Sequence, residues 1–217
     1  HQVKKFGGSS WKFDGADDWL TVANNIIPKL DAIGTGAVTL ELWFRTPDTS
    51  TEQGLINFSI AGNNPNTGIG IALRGDRSAK EIEVLFAGQN NTFDFSWVAD
   101  TWYHISLTRS ASGGTCRFFI DGVMRNATGA GTHTFTAGDS LDIAWTQLYI
   151  GRLAHSSEIE FEGYIDNLRL SNTERYTSNF TAGEVTSDAN TLLLVNGEGG
   201  AFTDSSSAPH TIAPTGS

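Results

Sequence analysis

The segment Val38-Thr-Leu-Glu-Leu-Trp-Phe-Arg45 alternates Val38, Leu40, Leu42 and Phe44 with Thr39, Glu41, Trp43 and Arg45. A period of two puts successive side chains on opposite faces, the signature of a half-buried β-strand. Similar runs, apolar or alternating, recur at 55–61, 68–74, 81–87, 93–98, 102–109, 116–120, 147–153, 161–170 and 191–195, bounded by Gly, Asn or Asp. Asp121-Gly122 is a hairpin turn, with Val123-Met-Arg125 as the returning strand. Helical periodicity is nearly absent, with short candidates only at 173–178 and 25–33. About a dozen short strands between glycine-rich turns predict an all-β fold, a two-sheet antiparallel jelly-roll sandwich.

The chain of 217 residues is long enough to close such a core without disulfide or metal staples. No Pro-rich or charged linker divides it, so residues 1–217 read as a single domain. The polar stretch 197–217 reads as a loop-like tail that either wraps back or leads to a neighbouring module. Cys116 is the only cysteine and lies in a strand pattern, so it reads as a small core residue. The net charge of −10 disfavours nucleic acid and anionic membranes as partners. No apolar run reaches membrane-spanning length.

Three ordered segments carry a family resemblance. They are Ser10-Trp-Lys-Phe-Asp-Gly15 with Asp18-Trp-Leu20; Thr101-Trp-Tyr-His-Ile-Ser-Leu-Thr-Arg109 with Phe119-Ile-Asp-Gly122; and Ile150-Gly-Arg152 with 161–170 and Arg175-Tyr-Thr-Ser-Asn-Phe180. Together they resemble the laminin-G-like domains of the concanavalin A-like lectin/glucanase superfamily. The last signature, and the placement of Leu192-Leu-Leu-Val-Asn-Gly197 at the end, are similar to modules of bacteriophage virion proteins and large bacterial surface proteins. The resemblance implies a concanavalin A-like jelly roll, a virion or cell-surface location, and Trp102, Tyr103 and His104 in structural roles. It leaves function open, since this fold carries lectins, adhesion domains and glycosidases alike.

The resemblance also implies a structural Ca²⁺, with Asp14 and Asp166 at the positions that often hold it and Gly15, Asp17 and Asp18 as supplementary ligands. Ca²⁺ takes several hard oxygen ligands. For glycans the pattern to seek is an aromatic face beside amide-rich loops. Trp97, Trp145 and Tyr149 are the aromatic candidates, Asn64 and Asn90 the amides, and Arg152, Arg74 and His155 the further polar groups. Trp43 and Trp102 read as core.

The run Glu158-Ile-Glu-Phe-Glu162 would place three carboxylates on one strand face, resembling the acid-x-acid-x-acid strand of retaining glucanases. Glu160 stands where those enzymes have Asp, and the aromatic cleft surroundings are missing. The expectation is therefore a non-catalytic carbohydrate-binding or adhesion module of a larger phage or bacterial surface protein, with glycans or neighbouring protein modules as partners. An oligomer or tandem array is compatible with it. The alternatives are a structural or decoration module of a virion and a glucan hydrolase using residues 158–162.

Overall fold

The computed structural model describes residues 3–23, 26–59, 68–111, 114–128, 133–141, 147–153, 158–198 and 201–216. In chain order its elements are β1 (Trp11–Asp14), β2 (Trp19–Val22), α1 (Ile27–Asp31), β3 (Val38–Arg45), β4 (Glu52–Ser59), β5 (Ile69–Arg74) and β6 (Glu81–Phe86). There follow β7 (Gln89–Asp94), β8 (Tyr103–Arg109), β9 (Thr115–Ile120), β10 (Val123–Arg125), β11 (Phe135–Thr136), β12 (Gln147–Ile150) and β13 (Arg152–Leu153). The last are β14 (Ile159–Glu160), β15 (Glu162–Ser171), β16 (Thr191–Glu198), β17 (Ala201–Asp204) and β18 (Ile212–Thr215).

A nine-stranded antiparallel sheet runs β10-β9-β8-β3-β15-β16-β17, with β1 also paired to β15 and β11 to β9. A seven-stranded sheet runs β18-β2-β12-β4-β5-β6-β7, and β13 and β14 form a separate two-stranded hairpin. The inner faces share one apolar core, to which Leu40, Leu42 and Phe44 contribute from β3, and Phe58, Ile71 and Val84 from the opposing sheet. Phe93 of β7 and Phe118 of β9 meet across it at 4.6 Å between ring centroids. This is the all-β sandwich that the alternating pattern predicts.

Part of the outer face of the nine-stranded sheet is covered by the irregular segment 172–190, which carries no helix at 173–178. Tyr176 and Phe180 stack on each other at 3.6 Å, and Phe180 packs edge-on against His104 and Phe119. Under them lies Glu41, fully buried, accepting hydrogen bonds from Arg169 Nε at 2.9 Å and Nη2 at 2.6 Å and from the Tyr176 hydroxyl at 2.9 Å. His104 Nε2 is 3.3 Å from the same carboxylate. Burial works against the Glu41 charge, but His104 and Arg169 hold its carboxyl below the usual range. Asn167, in the left-handed region at φ 49°, accepts from the Val185 N–H at 2.6 Å and donates to its carbonyl at 3.1 Å, fixing the far end of the cover.

Several strand boundaries differ from the sequence expectation, two of them at residues with positive φ. The run at 93–98 is strand only to Asp94, because Ala87 and Gly88 take φ 47° and 84° and close a two-residue hairpin that starts β7 at Gln89. The run at 147–153 breaks at Gly151, whose φ is 81°. Cys116 is buried, and burial pushes its thiol up to about 12.

The tail from 197 is not loop-like. β17 extends the nine-stranded sheet, and β18 pairs with β2 at the edge of the seven-stranded one. Asp204 ties the two together. Its carboxylate accepts from the N–H groups of Leu194, Ser206 and His210, at 3.0, 2.9 and 2.7 Å, and lies 2.6 Å from His210 Nδ1. Burial opposes the Asp204 charge, yet these donors hold its carboxyl below the usual 3.8. The folded state then binds fewer protons there than the unfolded chain, so this stabilisation is fully present above about pH 4 and is lost progressively as pH falls from there through the lower folded-state value. Melting curves from pH 7 to about pH 3 should therefore show a shallower acid decline in Asp204→Asn than in the parent; superimposable declines would show that Asp204 does not drive it.

Candidate functional site

Alternation along β2 buries Leu20 and Val22 and leaves Trp19 and Thr21 on the outer face of the seven-stranded sheet. The same rule on β12 buries Leu148 and Ile150 and turns Tyr149 outward, where it lies opposite Thr21. Gly151 then bends the chain so that β13 and β14 fold back across this face. The hairpin lies flat because Gly54 has no side chain: a Cβ there would come within 2.1 Å of the Leu153 nitrogen. Leu153 and Ile159 pack on Ala72 and Leu85, a small apolar cluster apart from the main core.

The hairpin delivers Arg152 to the aromatic pair. Its guanidinium carbon is 4.1 Å from the Trp19 ring centroid and 5.4 Å from that of Tyr149, a cation within reach of two aromatic rings. Glu158 forms an ion pair with Arg152 Nη2, and Glu160 stands 3.8 Å from Nε. The Arg152 side chain is 7% exposed and that of Glu158 66%, so the cation is fixed and its partner lies at the rim.

Beside this group a cleft of about 430 Å³ is lined by Asp48, Glu52, Gln53, Glu158, Glu160 and Glu162, among others. Burial pushes the Glu52 carboxyl up, and Arg74, 3.3 Å away, works in the opposite direction. Burial also opposes the Asp48 charge, but Thr51 and Ser50 donate to it and hold its carboxyl down. Glu158, Glu160 and Glu162 do share the cleft, although not as one strand. Phe161 is fully buried between them, leaving Glu160 on β14 and Glu162 on β15.

Of the sequence-derived ligand candidates, Tyr149 and Arg152 come together here. Trp97 does not: it is 2% exposed, packs in the core and donates from Nε1 to the Asp48 carbonyl at 3.0 Å. Its ring offers no free face to a sugar. Asn90 sits on edge strand β7 rather than in a loop, and its amide donates to Glu83 at 3.0 Å. Arg74 is tied to Glu52, Asp76 and Glu83. Trp145, Asn64 and His155 lie outside the described residues. Trp43 is buried as expected, whereas Trp102 is only half-buried. The sequence reading missed Trp19 as a ligand group. The signal was present, since Leu20 and Val22 inward require Trp19 outward.

The two metal candidates separate. Asp166 is buried and accepts from the N–H groups of Lys5 and Phe6 at 3.1 and 3.0 Å, anchoring the N-terminal segment. Asp14 faces Glu162 across the ladder, four residues along β15 from Asp166, or about 13 Å at strand rise. They cannot ligate one ion. Asp14, Asp17 and Asp18, by contrast, present carboxylate oxygens within 4.8 Å of one another from a single turn. Hydrogen bonds from Ala16 and Asp17 hold the Asp14 carboxyl down, while burial and the neighbouring Asp14 charge push Asp18 up.

These features define a concanavalin A-like sandwich with an aromatic and acidic site on one sheet. The chain belongs to the laminin-G-like family of the concanavalin A-like lectin/glucanases superfamily, whose sequence model matches residues 14–179. A search of curated proteins finds no match. Among solved structures, a Bacteroides ovatus protein assigned to carbohydrate binding shares 16% identity at a TM-score of 0.57 over 95% of this chain, which spans 60% of that longer protein. The CBM40 of a Ruminococcus gnavus IT-sialidase, bound to α2,3-sialyllactose, shares 10% identity at 0.55, covering 77% of this chain and 91% of its own. A heptameric SAP-like pentraxin of Limulus polyphemus shares 11% at 0.50, covering 76% of each. At such identities the likeness shows the common fold. Among the described residues no helix is long and apolar enough to cross a membrane.

Gly54→Ala should lift the hairpin and cost about 1–3 kcal/mol in urea unfolding, as expected for an overpacked contact. A loss below about 0.5 kcal/mol would mean that the hairpin does not bear on Gly54.

Proposed function

We propose that this chain is a non-catalytic carbohydrate-binding module whose ligand site is the Trp19–Arg152–Tyr149 group and the adjoining cleft. The observation that carries the reading is the half-exposed aromatic pair fixed around a buried guanidinium. Sugar rings stack their C–H faces on such side chains, and the cleft carboxylates and Gln53 accept or donate to hydroxyls. The carbohydrate-binding proteins that share the fold support this reading. So does the pairing of Glu158 with Arg152, which engages a carboxylate that the glucanase alternative requires. Trp19→Ala and Tyr149→Ala should each weaken retention on a glycan array or affinity gel about tenfold, the effect of losing one stacked face with its partner contacts. If the parent binds no glycan, the reading fails; if both variants bind like the parent, the site is misplaced. Release of reducing sugar from β-glucans, abolished by Glu158→Gln, would instead establish a hydrolase.

Ca²⁺ belongs to the same proposal. Asp14, Asp17 and Asp18 are the residues that would hold it, giving the all-oxygen coordination this ion prefers. Calorimetric titration with Ca²⁺ after EDTA treatment should show heat that Asp18→Asn removes; no heat and no rise in melting temperature would dispose of the site. The virion or bacterial-surface setting is likewise part of our reading and is supported by the Arg175-Tyr-Thr-Ser-Asn-Phe180 signature.

A further inference from the structure

A second aromatic platform lies on the other sheet. The ladder registers place Lys12 of β1 directly opposite Tyr164 of β15, and Tyr164 directly opposite Arg45 of β3. The three form one cross-strand row on the outer face of the nine-stranded sheet, where directly opposed Cβ atoms stand about 5 Å apart. The cover that hides Glu41 does not extend here: Lys12 is exposed, and Tyr164 and Arg45 are half-exposed. A cavity of about 280 Å³ opens over the row, lined also by Pro47, Asp100 and Glu162 and bordered by Asp14 of the acidic turn.

The row is held firmly. Arg45 donates from Nε to the Asp100 carbonyl at 2.9 Å, and its Nη2 pairs with the Asp100 carboxylate at 2.9 Å. Its guanidinium carbon stands 5.5 Å from the Tyr164 ring centroid. These two contacts use Nε and Nη2 and do not involve Nη1. Asp100 is itself fixed by its N–H to the Thr46 carbonyl at 2.8 Å. Gly163, at φ 140°, brings β15 hard against β3, because a Cβ there would meet the Arg45 carbonyl at 2.2 Å.

We propose that this cavity is a second carbohydrate site that takes a single neutral hexose, with an aromatic platform other than the Trp19 group although it shares Glu162 with the cleft beside that group. Tyr164 supplies the stacking face. Lys12 and Arg45 supply donors, and Asp100 and Glu162 supply acceptors. A sugar hydroxyl is donor and acceptor at once, so a mixed rim of cations and carboxylates suits it better than it suits a charged ligand. The volume lies just under the range of drug-sized pockets, which fits one ring rather than an extended chain. The cavity meets the acidic cleft beside the Trp19 group at Glu162, which lines both, so the two aromatic platforms are neighbours divided by that carboxylate.

The test is an NMR titration of the labelled chain with methyl β-galactoside, methyl α-glucoside and methyl α-mannoside. At least one should shift the amides of Lys12, Arg45 and Tyr164 saturably. That binding should persist in Trp19→Ala, weaken about tenfold in Tyr164→Ala and survive in Tyr164→Phe, which keeps the ring. Lys12→Ala, at an exposed position, should weaken it severalfold with the fold intact, which covers the case in which Tyr164→Ala does not fold. The proposal is overturned if none of the three sugars moves these amides. It is equally overturned if Tyr164→Ala and Lys12→Ala both bind like the parent, or if Trp19→Ala abolishes the shifts.

Discussion

The buried carboxylate of Glu41 constrains much of what surrounds it. A charge removed from water is tolerable only when closely paired and hydrogen-bonded. Arg169, Tyr176 and His104 meet that need, and Tyr176 can do so only if residues 172–190 fold down over the nine-stranded sheet. Much of that sheet's outer face is thereby closed to ligands. What stays open is the outer face of the seven-stranded sheet and the uncovered row at Lys12, Tyr164 and Arg45. The positions available for function thus follow from how one charge is kept buried.

The same trade is repeated with polar main-chain groups. Asp166, Asn167 and Asp204 are all buried, and each satisfies backbone N–H groups of a segment without regular structure. Buried polar side chains that satisfy backbone groups are a common way to fix irregular chain on a sheet. Asp166, a metal candidate in the sequence, anchors the N-terminal segment in this way.

Much of the fold was legible in the sequence, because β3, β5, β6, β8 and β9 display their pleat directly in their apolar alternation. β7 was not, since an edge strand of Gln89, Asn90 and Asn91 looks like a loop when only one face is buried. β17 and β18 were missed for a similar reason: short edge strands of a polar tail carry almost no periodic signal. The candidate site was half legible. Tyr149 and Arg152 could be named, but their meeting with Trp19 depends on a hairpin folding back across the sheet. Local pattern does not encode that return; Gly54, which permits it, is one glycine among 24. Trp97 is buried, which its loop position could not foretell because that position says nothing of the core behind it.

The single thiol of the chain has a practical consequence. Cys116 is sealed in the core with its ionisation pushed far above neutral pH, so it offers almost no thiolate to reagents. A cysteine introduced at an exposed position such as Val98, which is 63% exposed, would then be the one reactive handle in the molecule. Fluorophores, spin labels or surface tethers could be attached there stoichiometrically without first removing the native residue.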